Sequence, residues 1–337
     1  MSDEPSLQDL LLPRFRGALV GGAIGDALGF PFEGSTRNLM LAVGSGVTQR
    51  FERHRSGYYP PGQYSDDTQM TLATVDAILE VEGVEGRVVA DHFVPLWREN
   101  RIIGRGSACS EAIGRLMRGE ADWESSGAPE GRAGNGAAMR ATPLGLWHYD
   151  DPAALLEDIE VVSAITHQDR RAIAGAAAVA TAIAYCVTHR DVILGEFLDD
   201  VAKAAAHFHE DLAAYLRDLP RILSFQEEDA LRHFSTLGLE TPYRENHDGI
   251  TPFVIPTVLV AFYYFLRSPE HFERTVGSCL QAGGDVDTVA SIAGALSGAQ
   301  NGDEGIPKHL REGVLHTGQI SKLAEEFYEV KQRQRRR

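Results

Sequence analysis

Two acidic clusters lie near opposite ends of this 337-residue chain. They are Ser65-Asp66-Asp67-Thr68, within YSDDTQM, and Asp285-Val286-Asp287-Thr288, within AGGDVDTVAS. A run with helical patterning follows each, over 69–81 and 289–299, so each cluster is expected at a helix start. Carboxylates are favoured there by the helix dipole and by free backbone N–H groups, and N-capping alone explains either cluster taken singly. The pair together points to one shared site, because Gly283-Gly284 directly precedes the second cluster and lets the backbone turn sharply or approach a ligand. Four carboxylates and two or three hydroxyls gathered in one place repel without cations. Hard oxygen donors of this kind suit Mg²⁺, Mn²⁺ or Ca²⁺ rather than zinc.

Other residues carry weaker chemical signals. Asp26 lies on a Gly/Ala-rich helix (RGALVGGAIGDALG) and is read as a buried polar anchor rather than a group supporting the ligands. Glu33 is an isolated carboxylate in an apolar, proline-containing loop, either a surface glutamate or a metal-linked acid/base group. The stretch Gly131-Arg132-Ala133-Gly134-Asn135-Gly136 is either a connector or a loop whose N–H groups face phosphate, and Asn135 suits a tight turn in both cases. Gly104-Arg105-Gly106 is a weaker instance of the same pattern. His167, in ITHQDRR, sits at a helix end, where it meets either the dipole or a ligand. Cys109 has no evident base partner, and no HExxH, Walker or Rossmann motif occurs.

The elements that must position these residues are helical. Apolar spacing predicts helices over 16–29, 66–81, 87–99, 108–118, 153–166, 172–186, 192–206, 211–216, 252–266, 271–280, 289–298 and 306–315. Segment 172–186 is nearly all Ala, Ile and Val and reads as buried all round. Alternating strand patterns are nearly absent, so a single all-α domain is expected. Gly and Pro mark loops over 30–62, 125–136 and 235–251, just ahead of the candidate functional segments.

Bulk properties narrow the class. The 43% hydrophobic and 24% charged content is that of an ordinary globular protein. A net charge of −16 argues against a nucleic-acid groove over the body, and the basic tail 331–337 reads as a solvated helix end. Three scattered cysteines, Cys109, Cys186 and Cys279, fit a reducing compartment. The N-terminal stretch MSDEPSLQDLL has no apolar signal core, and the apolar stretch 173–187 reads as too short and too mild to span a membrane. A cytoplasmic, monomeric protein is the expectation.

In order, GGAIGDALGFPFEG, YSDDTQM, GNGAAMRATPL, ITH and GGDVDTVASIAGALSGA resemble the ADP-ribosylglycohydrolase family over about 15–302. That family includes the dinitrogenase-reductase-activating glycohydrolase and the ADP-ribosyl-acceptor hydrolases. SDDT and GGDxDT far apart, with GNGxAMR between them, make a specific signature. The resemblance implies a single-domain orthogonal helical bundle over 1–337, with a dinuclear Mg²⁺ (or Mn²⁺) centre in a cleft. It implies that Ser65, Asp66 and Asp67 form one ligand group and Asp285, Asp287 and Thr288 the other. Glu33 then acts with Asp66 and Asp67 in catalysis. The loop holding Gly131, Arg132, Ala133, Asn135 and Gly136 binds the substrate diphosphate, and His167, Gly104 and Gly106 lie by the distal part of ADP-ribose.

The implied reaction is hydrolysis of the N- or O-glycosidic bond at C1″ of ADP-ribose. The substrate is a modified protein, a nucleic-acid base or a small molecule. The alternatives are a Mg²⁺-dependent hydrolase cutting the pyrophosphate of ADP-ribose or a related nucleotide, and a non-catalytic ADP-ribose binder. Two departures from the family pattern matter. Arg132 stands where serine is common, and an arginine is suited to clamp phosphate. Arg101-Ile102-Ile103 stands where the arginine-specific branch carries an acid, which weighs against ADP-ribosyl-arginine as substrate.

Overall fold

Gly17, Gly21, Gly25 and Gly29 recur every fourth residue along the first helix, α1 (Leu7–Gly29), and so share one face. That face lies directly on the helix Val286–Asn301 (α14). A Cβ at Gly25 would come within 1.9 Å of the Ala290 carbonyl oxygen, and one at Gly29 within 2.4 Å of the Asp287 Cα. Only hydrogen fits in this seam. The small-residue stripe therefore locks the N-terminal helix onto the helix that carries the second acidic cluster.

The computed structural model describes residues 6–238 and 248–336. Within them α1 is followed by α2 (Arg37–Val43), α3 (Asp66–Val81), α4 (Gly86–Arg98), α5 (Ser107–Arg118) and α6 (Thr142–Trp147). Next come α7 (Pro152–Ala164), α8 (Arg170–Thr188), α9 (Leu194–Phe208), α10 (Glu210–Ile222) and α11 (Glu227–Phe234). The chain closes with α12 (Val254–Arg267), α13 (Phe272–Gln281), α14, α15 (Lys308–Gly313) and α16 (Thr317–Arg335). No β-strand occurs among the described residues. Four isolated bridges, Ser35↔Gly284, Ile250↔Gly284, Gly134↔Phe253 and Ala128↔His167, tie loops to one another. The protein is an all-α, single-domain helical bundle.

Several expectations are revised. The stretch read as a loop over 30–62 contains α2, started by Thr36, whose hydroxyl accepts from the Leu39 N–H. Helix α2 buries only Met40 and leaves Leu39, Leu41 and Val43 exposed, so it has no amphipathic period to read. Helices α6, α11 and α16 lie outside the predicted spans, although the tail reads as a helix end. The first two are short, and α16 is mostly polar, with one buried position per turn or so. Helix α16 packs on α1 through Phe327 and Tyr328 against Phe15, which carries the bundle past residue 302. The basic tail is not fully solvated, because Lys331 is buried and pairs with Asp150 at 2.7 Å, as does Arg335. Helix α8, at 19 residues, is long and apolar enough to cross a membrane by length and composition, contrary to the reading of 173–187 as too short. Its burial against α6, α7, α9 and α14 marks it as the central core helix. Most of the 235–251 loop, with His247, lies outside the described residues, as do residues 1–5.

Candidate active site

Asp26 organises the first acidic cluster. It is fully buried on α1 and accepts hydrogen bonds from the Ser65 N–H (2.9 Å), the Thr68 N–H (3.0 Å) and the Thr68 hydroxyl (2.6 Å). The free N–H groups at the start of α3 are thus capped from another helix, as an anchor should do. Burial pushes the Asp26 carboxyl up to about 6 despite these donors. Ser65 supplies the local cap, its hydroxyl accepting from the Asp67 N–H and donating to Asp67 Oδ2 at 3.2 Å. With capping met by Asp26 and Ser65, Asp66 and Asp67 are left to face the cleft.

The second cluster is set by its two glycines. Gly283 and Gly284 have φ of +73° and +84°, and a Cβ on Gly284 would lie 2.0 Å from the Ile250 carbonyl oxygen. This turn lets Gly284 bond to both Ser35 and Gly34, while the Asp285 N–H reaches the Ile250 carbonyl. It also draws the Glu33 loop beside α14. Asp285 occupies the N-cap position of α14 but makes no side-chain cap, so capping does not explain it. Glu33, Asp285 and Asp287 each offer a carboxylate oxygen within 4.8 Å of the others.

The two clusters meet. Asp66, Asp67, Asp285, Asp287, Thr288 and Glu33 line one cleft. The Thr288 hydroxyl favours the charged forms of both Asp67 and Asp285. Burial pushes the Asp66 carboxyl up to about 7, with the negative charge of Asp26 adding to the shift. Asp67 and Asp287 are driven well above the usual carboxylate range by burial and then by neighbouring carboxylates. Glu33 is also raised, by burial and then by Asp285. Asp67 Oδ1 and Asp287 Oδ1 are buried without any hydrogen-bond partner. An orphaned buried carboxylate oxygen is costly. One orphan from each cluster, in an all-oxygen set, is the donor arrangement that a hard divalent cation satisfies.

The opposite wall comes from the glycine loop. Gly134, Asn135, Gly136 and Met139 line the cleft, with Gly104, Gly106 and Cys109 beside them. Asn135 donates to Asp285 Oδ2 at 2.5 Å and to Thr257 Oγ1 at 3.1 Å. Its own N–H bonds the Pro252 carbonyl. Gly104 has φ +73°, and a Cβ there would press on Ser65 and Asp66 at 3.1 and 3.3 Å. The Gly106 N–H donates to Asp66 Oδ2 at 3.3 Å. His167 is buried and borders the cleft, held by the Ala128 bridge and by its N–H on the Ser163 carbonyl.

Four sequence candidates lie back from the cleft. The Ser65 hydroxyl is turned to Asp67. The Gly131 N–H bonds Asp169 at 2.7 Å, and the Ala133 carbonyl accepts from Val254. Arg132 is half exposed and forks onto Glu111 of α5, so its guanidinium is committed to a surface pair. Cys109 does border the cleft, but burial pushes its thiol up to about 11, which leaves it protonated and a poor nucleophile.

Other positioning residues were not legible as such. Gln69 donates to the Arg101 carbonyl at 2.9 Å and accepts from the Ile103 N–H at 2.8 Å, clamping the Gly104–Gly106 loop to α3. Thr257 is a lone hydroxyl in the first turn of an apolar helix, a signal that becomes readable only once Asn135 is beside it.

Comparison with known proteins gives the family. The family model ADP-ribosylglycohydrolase matches residues 7–337. The chain is 27% identical to the zebrafish (Danio rerio) ADP-ribosylhydrolase ARH3, covering 95% of this chain and 91% of that protein. It is 28% identical to the ADP-ribosyl-[dinitrogen reductase] glycohydrolase of Rhodospirillum rubrum, covering 90% and 89%. Among solved structures, one titled ADP-ribosylglycohydrolase-related protein complex superposes with a TM-score of 0.74 at 23% identity, over 95% of this chain and 98% of that one, and so shares the fold. With the match running from the first helix to the last residue, the chain belongs to the ADP-ribosylglycohydrolase family, whose general activity is hydrolysis of ADP-ribose linkages.

Proposed function

We propose that this protein hydrolyses the glycosidic bond at C1″ of ADP-ribose, releasing intact ADP-ribose from a modified acceptor, with two Mg²⁺ or Mn²⁺ ions as cofactors. The observation that carries the reading is the pair of orphaned oxygens, Asp67 Oδ1 and Asp287 Oδ1, brought from the two clusters into one cleft. Asp66, Asp67, Asp285, Asp287, Thr288 and Glu33 are the residues that would hold the cations. Bound there, the cations supply Lewis-acid polarisation of ribose oxygens and lower the pKa of water at neutral pH.

The remaining steps belong to the chain. Breaking the C1″ bond builds oxocarbenium-like positive charge on the ribose. The carboxylates facing the cleft are placed to stabilise that charge. Glu33, half-buried and lining the cleft, is the group that would take a proton from the attacking water. Gly134 and Gly136 keep the loop bare of side chains, so that its backbone can approach the diphosphate. The buried walls, Met139 and Cys109 among them, keep bulk water from the ribose. The absence of an acid at Arg101-Ile102-Ile103 favours an acceptor other than arginine. Three buried, unpaired cysteines support a cytoplasmic setting.

The test is to incubate the protein with defined ADP-ribosyl conjugates of arginine, serine, an acetyl ester and a base, with Mg²⁺ or Mn²⁺, and to identify the products. Intact ADP-ribose is expected. AMP would overturn the reading in favour of pyrophosphate cleavage. Tight ADP-ribose binding without product would make the protein a binder.

A further inference from the structure

Arg140 is a fully buried cation with no carboxylate among the described residues paired to it. Its guanidinium donates to the Gly136 carbonyl, to the Val162 carbonyl at 3.2 Å and to Thr166 Oγ1 at 2.7 Å. Thr166 is fully buried in turn, and its hydroxyl lies 2.9 Å from His167 Nδ1.

The donor inventory fixes the first link of this chain. A guanidinium has only N–H donors, so the Thr166 oxygen must accept from it. The hydroxyl then has one proton to give. His167 Nδ1, 2.9 Å away, is within reach to take it. A neutral imidazole that accepts at Nδ1 carries its proton on Nε2. The ring is neutral because burial, and then the charges of Arg140 and Arg132, lower its pKa to about 3. Its Nε2 edge is turned to the glycine loop on the cleft wall, since a Cβ on Gly134 would lie 3.0 Å from Nε2.

We propose that Thr166, oriented by Arg140, is a positioning residue that holds His167 as its Nε2–H tautomer, so that the ring donates a hydrogen bond from the cleft wall to an oxygen of the bound nucleotide-sugar. The ligand half of this statement rests on the ADP-ribose reading, and the tautomer half does not. Arg140 serves two ends of the site at once, since the same guanidinium holds Gly136 of the glycine loop.

The experiment uses the full chain labelled with ¹⁵N-histidine. Long-range ¹H–¹⁵N correlation spectra identify the His167 signals by their loss in His167→Asn. The expected spectrum has a protonated Nε2 and an unprotonated Nδ1. Thr166→Val removes the donor and is expected to release the tautomer, and Thr166→Ser is expected to keep it. ADP-ribose affinity should fall about tenfold in Thr166→Val, the worth of one hydrogen bond, and return in Thr166→Ser. A wild-type ring protonated at Nδ1, or a Thr166→Val spectrum identical to wild type, overturns the relay. A released tautomer with unchanged ADP-ribose affinity overturns the donor role. If wild type binds no ADP-ribose at all, the functional reading falls, while the spectra still decide the relay.

Discussion

The side-chain amide of Asn135 donates to Asp285 Oδ2 at 2.5 Å, joining the glycine loop to the second acidic cluster across 150 residues of sequence. The same nitrogen also reaches Thr257, so the amide is held from two sides. This bond lowers the Asp285 carboxyl against the upward push of burial and keeps one of its oxygens oriented. Supporting bonds of this kind typically govern metal affinity by 10- to 100-fold (order of magnitude). Asn135→Ala is therefore expected to weaken Mn²⁺ binding by roughly tenfold or more while leaving the helical content unchanged. Calorimetric Mn²⁺ titration checks this, and unchanged affinity would detach the loop from the cation site.

Asp67→Asn and Asp287→Asn each remove one of the two orphaned carboxylates. Cation stabilisation of transition-state charge is worth several kcal/mol, so turnover should fall by about 10³-fold or more in either variant. Metal-free Tm should not fall, because each substitution relieves repulsion among buried carboxylates. Added Mg²⁺ or Mn²⁺ should raise the Tm of wild type more than that of either variant. Comparable rates and comparable metal-induced shifts in all three proteins would show that the clusters do not form one centre.

Glu33→Gln keeps the shape of the side chain and removes its basicity. Loss of a general base costs about 10²–10⁴-fold in rate. ADP-ribose affinity should change far less, because the glycine loop and His167, not Glu33, are the groups proposed to hold the nucleotide. Paired measurements of turnover and equilibrium binding separate these effects. Wild-type turnover would make Glu33 a bystander, and joint loss of binding and stability would make it a structural part of the loop.

Arg132 tests how far a sequence departure reaches into function. Its guanidinium is taken up by Glu111 at the surface, where such pairs contribute about 0–1 kcal/mol. Arg132→Ala should change ADP-ribose affinity by less than about threefold. A loss beyond tenfold would mean that the side chain leaves Glu111 to clamp the diphosphate.

His167 sets a pH signature for stability. Its pKa is lowered to about 3 in the fold, against about 6.5 when unfolded. Above pH 6.5 both states are neutral and the group has no effect. As pH falls from about 6.5 towards about 3, the unfolded chain gains a proton that the folded one refuses, so stability is lost across that window. His167→Asn should therefore show a shallower decline of Tm between pH 7 and pH 4.5 than wild type. Equal slopes would place a protonatable, solvated histidine at this position.

Both acidic clusters stood out in the sequence because helix starts are written locally, by an apolar period of 3.6 residues and by the residues just ahead of it. The all-α class, the two-glycine turn before Asp285 and the anchoring role of Asp26 were legible on the same grounds. What brought Asp67 and Asp287 face to face was the seam between α1 and α14, where glycines of one helix meet the backbone of the other. No local pattern states that partnership, since it depends on which surfaces fit at close range. The same holds for Arg132, whose character as a phosphate clamp or a surface ion pair turned on where α5 places Glu111. It holds too for Lys331, drawn out of solvent because α16 docks beside Asp150. Side-chain chemistry and helix phase belong to the sequence, whereas the partner of each buried polar group is decided by non-local packing, because only the assembled bundle removes the water that would otherwise satisfy it.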